Sequence, residues 1–275
     1  MTTTRGERVE IGTLSIDPLS EAEVVERVRT AWRAGDGGWI ATPNVDHLRA
    51  AAADPRLREL IGTADLCVAD GAPVVWAARL SGRPLPERVT GADLLWSLCA
   101  AAAEDGKSIY LLGGDTGVPE RAAEELQRRY PGLQVAGSCS PPFGFEKDDD
   151  ELRRCRDGLA AAHPDVVFVG LGFPKQEQLI QRFDGLLPNA WWLGCGAAIP
   201  FAAGDLARAP RWMRRTGLEW FFRLVSEPRR LFRRYILDDL PYAVRLLAWA
   251  VATRLRSRSI TPRRSSAGSS RRRPR

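Results

Sequence analysis

The chain has 275 residues, 44% of them hydrophobic, which is enough for one large or two small globular domains. Its five cysteines (67, 99, 139, 155 and 195) show no CxxC or Cys/His clustering, and MTTTRGERVEIG has no apolar core. That pattern excludes a disulfide framework and a zinc site, predicts reduced thiols in a cytosolic protein, and predicts no signal peptide. No apolar run approaches the roughly 18 residues of a membrane span.

The net charge of +6 conceals a division: residues 205–275 hold 19 arginines, no lysine and five acids, while the first 204 hold 21 bases and 29 acids. An acidic body with a basic carboxyl-terminal section points to a polyanionic partner, either nucleic acid or an anionic membrane.

In chain order, residues 7–16 read as a short edge segment or hairpin, and Glu21–Arg33 as a helix. A strand at Trp39–Thr42 ends at Pro43-Asn44, short helices cover Asp46–Ala53 and Pro55–Ile61, and a strand at Asp65–Ala69 ends at Asp70-Gly71. Helices follow over Ala72–Leu80 and from Thr90 or Gly91 to Glu104. Next come a strand at Ser108–Leu112, a GGDTG loop, a helix at Pro119–Tyr130 and a strand at Gln134–Gly137. A Pro/Gly/Phe loop at 141–146 leads to a helix at Asp148–Ala162. The apolar run Val166–Val169 is too short for a buried helix and reads as a buried strand; Gly170 and Gly172 then permit a sharp turn, and Pro174 suits a helix start. Ala190–Gly194 is a further strand.

Strands alternating with helices every 25–30 residues or so predict an α/β fold, a doubly wound, mostly parallel Rossmann-like sheet. Ligands of such sheets bind beyond the carboxyl ends of the strands. The residues predicted there include Thr42 and Asn44, Asp70 and Gly71, Gly113 and Gly114, and Gly170, Gly172 and Gln176. From Ala207 the pattern is helical, with aromatic residues interleaved with arginine. The predicted division is a catalytic body over 1–204, a basic amphipathic appendage over 205–253, and a disordered Arg/Ser tail over 254–275.

Asp70, at a strand end before glycine, fits either a general base facing the crevice or a helix N-cap. Thr42 and Asn44 fit a ligand contact or a turn and cap equally. The loop LLGGDTGVPE offers free N–H groups to a diphosphate but is neither GxGxxG nor a P-loop. Asp148-Asp149-Asp150 matches DxD, yet acids in a first helical turn need only the helix dipole to explain them. His47 and His163 have no ligand-spaced partner, so no metal or cofactor is expected. The Arg/aromatic section has three readings: a core face with solvated arginines, an amphipathic membrane surface, or a set of bidentate diphosphate ligands.

Together the pieces TPN (42–44), DG (70–71), RVTGADLL (88–95), YLLGG (110–114), YPGL (130–133), GLGFPKQE (170–177), RAP (208–210), GLEWFFR (217–223) and EPRR (227–230) resemble the WecG/TagA/CpsF glycosyltransferases over roughly residues 8–245. The resemblance implies an inverting, metal-independent enzyme on the cytoplasmic face of the membrane. It would move N-acetylmannosamine or its uronic acid from UDP to a polyprenyl-diphosphate-linked N-acetylglucosamine. By the same resemblance Asp70 is the base, with Thr42 beside it, and Asn44, Arg88 and Gln176 line the pocket. Gly113, Gly114 and Gly172 face the diphosphate, Phe145 borders the nucleotide, and Arg214, Arg223, Arg229 and Arg230 close the site at an anionic membrane. Pro200 stands where the family commonly has a base-contacting aspartate, a departure that bears on which nucleotide and sugar bind. No nucleic-acid partner is expected under this reading, and a homo-oligomer is compatible with it. The rivals are a nucleic-acid-binding protein using the basic end and an inactive sugar-nucleotide-binding module.

Overall fold

The computed structural model describes residues 7–260. The strands are β1 (Val9–Ile11), β2 (Leu14–Ile16), β3 (Gly38–Ala41), β4 (Leu66–Cys67), β5 (Ser108–Gly113), β6 (Gln134–Cys139), β7 (Val166–Gly170) and β8 (Trp191–Gly194). The helices of the body are α1 (Glu21–Ala34), α2 (Val45–Ala53), α3 (Pro55–Gly62), α4 (Ala72–Ser81), α5 (Gly91–Asp105), α6 (Val118–Arg129), α7 (Asp149–Ala162), α8 (Lys175–Arg182) and α9 (Ala198–Ala202). Four more follow: α10 (Arg211–Thr216), α11 (Glu219–Ser226), α12 (Pro228–Phe232) and α13 (Leu240–Ile260), the last two joined by a wide π-type segment, Arg233–Asp239.

Six strands form one sheet in the order β4-β3-β8-β7-β5-β6, and every neighbouring pair is parallel. Of the two readings of residues 7–16, the hairpin is the one that forms: β1 pairs antiparallel with β2 in a sheet of its own. Successive strand residues point to opposite faces, and the two cores sort by that alternation. Trp39, Ala41, Tyr110, Leu112, Val167, Val169 and Trp192 belong to one core, with α2, α7, α8 and the hairpin. Ile40, Leu111, Val166, Phe168, Trp191 and Leu193 belong to the other, with α1, α5, α6 and α9. Parallel crossovers are right-handed, so the direction of travel along the sheet decides which face a helix covers. The β5-to-β6 step runs one way and puts α6 on one face; the β6-to-β7 and β7-to-β8 steps run back and put α7 and α8 on the other. The reversal falls between β5 and β7. A crevice opens at such a switch point.

Helix α13 is no free appendage: Ala243, Leu246 and Ala250 join the first core beside α4. It also runs through Thr253 to Ile260, past the expected boundary, because nothing in that stretch breaks a helix. The rest of the predicted tail, 261–275, lies outside the described residues. No helix among the described residues is long and apolar enough to cross a membrane.

Candidate active site

All six carboxyl ends fall on one face, as expected. At β5 and β7 the chains touch so closely that a Cβ on Gly113 would sit 2.6 Å from the Gly170 carbonyl oxygen. Gly113, Gly114 and Gly172 all take positive φ (109°, 90° and 74°), so their loops can turn with backbone N–H groups bare of side chains. Pro174 precedes the helix rather than opening it, since α8 starts at Lys175.

Asp70 follows β4 at the edge of the sheet, its N–H donating to the Pro43 carbonyl (3.0 Å). Of its two readings, the cap is eliminated: α4 is preceded by Gly71 and has no side-chain cap. No hydrogen bond or ion pair reaches the Asp70 carboxylate among the described residues. Burial pushes that carboxyl up to about 6; Arg88 opposes the shift, Glu219 adds to it, His47 opposes and Asp93 adds. A base poised near neutrality, without a competing partner, suits proton abstraction.

The TPN turn is divided between tasks. Thr42 is buried, and a Cβ on Gly91 would meet its Oγ1 at 3.3 Å, so it lies under the start of α5. Asn44 is a cap: its Oδ1 accepts from Asp46 N (3.0 Å) and from His47 N (3.4 Å), and the His47 ring packs against it with Nδ1 2.9 Å from Oδ1. It still stands beside Asp70, since a Cβ on Gly71 would meet the Asn44 Cβ at 3.6 Å.

Arg88 donates from Nη1 to Glu219 Oε2 (3.0 Å). Arg208 stands between Glu219 and Asp93, with Nη2 2.8 Å from Asp93 Oδ1, and Arg214 donates to the same carboxylate (3.2 Å). Asp93 is fixed in turn by Thr90, which, of the two residues expected there, is the one that caps α5. This chain of charges bolts α10 and α11 to the body. It leaves Arg214 Nε buried without a hydrogen-bond acceptor, while Arg208 Nε and Nη2 meet Glu219 and Asp93 as ion pairs, so the wall is arginine-rich but already faced by two carboxylates. A cleft of about 520 Å³ lies against it, walled by Trp76, Arg88, Asp93, Arg211 and Arg214; Asp70 does not line it.

A second network holds the π-type segment: Arg234 pairs with Asp46 (2.8 Å), and Arg49 Nε with Asp239 (3.2 Å). It brings Tyr235 to the site, where burial raises the phenol's pKa, the charges of Arg223, Arg234 and Arg230 lower it, and that of Asp70 raises it. Arg223 is half-buried, its guanidinium 5.9 Å from the centre of the Phe201 ring. Arg229 is exposed, and Arg230 pairs with Glu227 (2.7 Å).

Two residues expected at the pocket are engaged by the fold itself. Phe145 is a core residue, 4% exposed, packed in the cluster with Tyr110 and Leu152; Phe143 is the exposed aromatic of that loop. Gln176 is buried with both ends of its amide committed, Oε1 accepting from Gly196 N (3.0 Å) and Nε2 donating to Glu177 (2.8 Å), so it ties the β7 loop to the β8 loop. The triple aspartate is a helix start, with Asp148 capping α7. Among the described residues no His, Cys, Asp and Glu group is arranged to hold a metal ion. Local pattern could not single out Glu219, Asp93, Arg208 and Tyr235, because their roles depend on partners more than 100 residues away.

A buried strand-end carboxylate with Arg88 nearby, and glycine turns at the switch point of the same parallel sheet, suit a transferase that takes a phosphorylated donor. Comparison with known proteins makes the class specific. The Glycosyl transferase WecG/TagA/CpsF family profile matches residues 9–256. A Bacillus spizizenii protein is 35% identical over 70% of this chain and 73% of its own length. A Bacillus subtilis protein is 32% identical over 77% and 79%, and one from Staphylococcus aureus strain MW2 is 30% identical over 82% and 87%. All three are named N-acetylglucosaminyldiphosphoundecaprenol N-acetyl-beta-D-mannosaminyltransferase. The protein is thus a glycosyltransferase, and the chain belongs to the WecG/TagA/CpsF family.

Proposed function

We propose that the enzyme transfers N-acetylmannosamine, or its uronic acid, from UDP to N-acetylglucosamine carried on a polyprenyl diphosphate, with inversion, in building a cell-surface polysaccharide. The observation that carries this reading is Asp70: a carboxylate at a strand end, with no hydrogen-bond or ion-pair partner among the described residues, raised to about 6. Asp70 takes the proton from the acceptor hydroxyl as the oxygen attacks the anomeric carbon, and UDP departs from the opposite side. The switch point at Gly113 and Gly170 suits the nucleotide; it lies three to four strands from Asp70, or roughly 14–19 Å at about 4.8 Å per strand, a span that an extended nucleotide sugar fills. Arg88, Arg208, Arg214 and Arg223 supply positive charge for the two diphosphates.

The same reading places the enzyme on the inner face of the cell membrane. Trp212, Trp220, Phe221, Phe232 and Leu237 are exposed, together with Arg211, Arg229, Arg230 and Arg233. Such a surface suits the interface of an anionic bilayer.

The test is UDP release from UDP-N-acetylmannosamine with a short-chain lipid-diphosphate N-acetylglucosamine, with EDTA present. Acceptor-dependent release is expected. Release without dependence on acceptor, or release abolished by EDTA, overturns the reading.

A further inference from the structure

Two cysteines outside the proposed reaction meet at the edge of the sheet. Cys139 ends β6, the edge strand, and is half-buried; Cys155 lies behind it on the inner face of α7, buried. Their Sγ atoms are 3.2 Å apart, so about 1 Å of further approach reaches the roughly 2.05 Å of a disulfide. Between them runs the 140–148 loop, which stands on the ligand face. Its Glu146 pairs with Lys175 in the first turn of α8, and Lys175 Nζ lies 4.6 Å from the centre of the exposed Phe143 ring.

We propose that Cys139 and Cys155 are a peroxide-reactive dithiol that closes to an intramolecular disulfide and tethers the 140–148 loop. Cys139 is the attacking sulfur because it alone of the pair is reachable. The Cys155 thiol lowers its pKa by hydrogen bonding, against the effect of burial, while the Cys155 thiol itself is raised. The Cys139 thiolate attacks one oxygen of hydrogen peroxide; the O–O bond breaks, hydroxide leaves and takes a proton to become water, and a sulfenic acid remains. The Cys155 sulfur then attacks the Cys139 sulfur; the S–S bond forms, the S–O bond breaks, and the thiol proton leaves with the oxygen as a second water. Two thiols are oxidised and one peroxide is reduced to two waters. Cys67, Cys99 and Cys195 are buried and serve as internal controls.

The experiment treats the full-length protein with stoichiometric hydrogen peroxide. It reads intact mass, peptide mapping after alkylation and amide hydrogen exchange, before and after dithiothreitol. Expected are the loss of two hydrogens per chain, a Cys139–Cys155 linked peptide that dithiothreitol removes, and about threefold slower exchange in residues 140–148. In Cys139→Ser neither the linkage nor the change in exchange appears. Cys139 stopping at a sulfenic or sulfinic acid, or pairing between two chains, overturns the closure. A linked peptide with unchanged exchange overturns the tether. No sugar transfer enters these readouts, so the inference stands or falls apart from the proposed reaction.

Discussion

Replacing Asp70 by asparagine separates what the residue costs the fold from what it does for the reaction. The folded carboxyl sits at about 6, against about 3.9 for an unfolded aspartate. A raised acid is a burden wherever it is ionised. The destabilisation is fully present above pH 6, shrinks as pH falls through the interval between the two values, and is gone below about 4. Two units correspond to roughly 3 kcal/mol; Asp70 keeps some solvent contact, which lowers the expectation to about 1–2 kcal/mol. Asp70→Asn should therefore unfold at higher urea than the parent at pH 8 and at the same urea near pH 4, while turnover falls about 10²- to 10⁴-fold. The parent's kcat/KM should fall on the acid side with its limb near pH 6. Equal stability of the two proteins at pH 8, or an acid limb near pH 4, would show that Asp70 is not desolvated as described. Near-normal turnover in the variant would remove it from the role of base.

The charges around Asp70 give predictions of opposite sign. Arg88→Met removes the cation that favours the carboxylate, so the acid limb moves up in pH and kcat/KM falls about 100-fold. Glu219→Gln removes an anion that disfavours it, so the limb moves down; pH profiles of the two variants side by side check both. Gly113→Ala forces a Cβ to 2.6 Å from the Gly170 oxygen at a φ of 109°, and should cost about 3 kcal/mol or more in a urea titration. Phe145→Ala should cost about 3–5 kcal/mol as a core truncation, whereas Phe143→Ala should leave stability within about 0.5 kcal/mol; equal effects in thermal melts would contradict the assigned burial.

The alternation of strand and helix, the parallel sheet, the cap at Thr90 and the strand-end position of Asp70 were all legible in the chain. Each depends on residues within a few positions of one another: apolar runs, glycine turns and a threonine three residues before Asp93. The motifs of the family added the reaction class. What the chain could not show is how distant charges pair. Glu219 looks like an ordinary acid in an arginine-rich helix until the fold sets it against Arg88, 131 residues earlier. Phe145 and Phe143 are two aromatics in one loop; only the packing of α7 against β6 decides that the first is core and the second exposed. Gln176 reads as a polar group at a ligand mouth, but the neighbouring strand supplies Gly196 to take its amide. Cys139 and Cys155 show no spacing motif, because a strand end and a helix face are what bring them together. Sequence determined the elements and their alternation along the chain, since those follow from local stereochemistry and the pattern of apolar residues. Tertiary structure alone decided which side chains are desolvated and which charges meet, because burial and electrostatic contact are properties of the assembled fold.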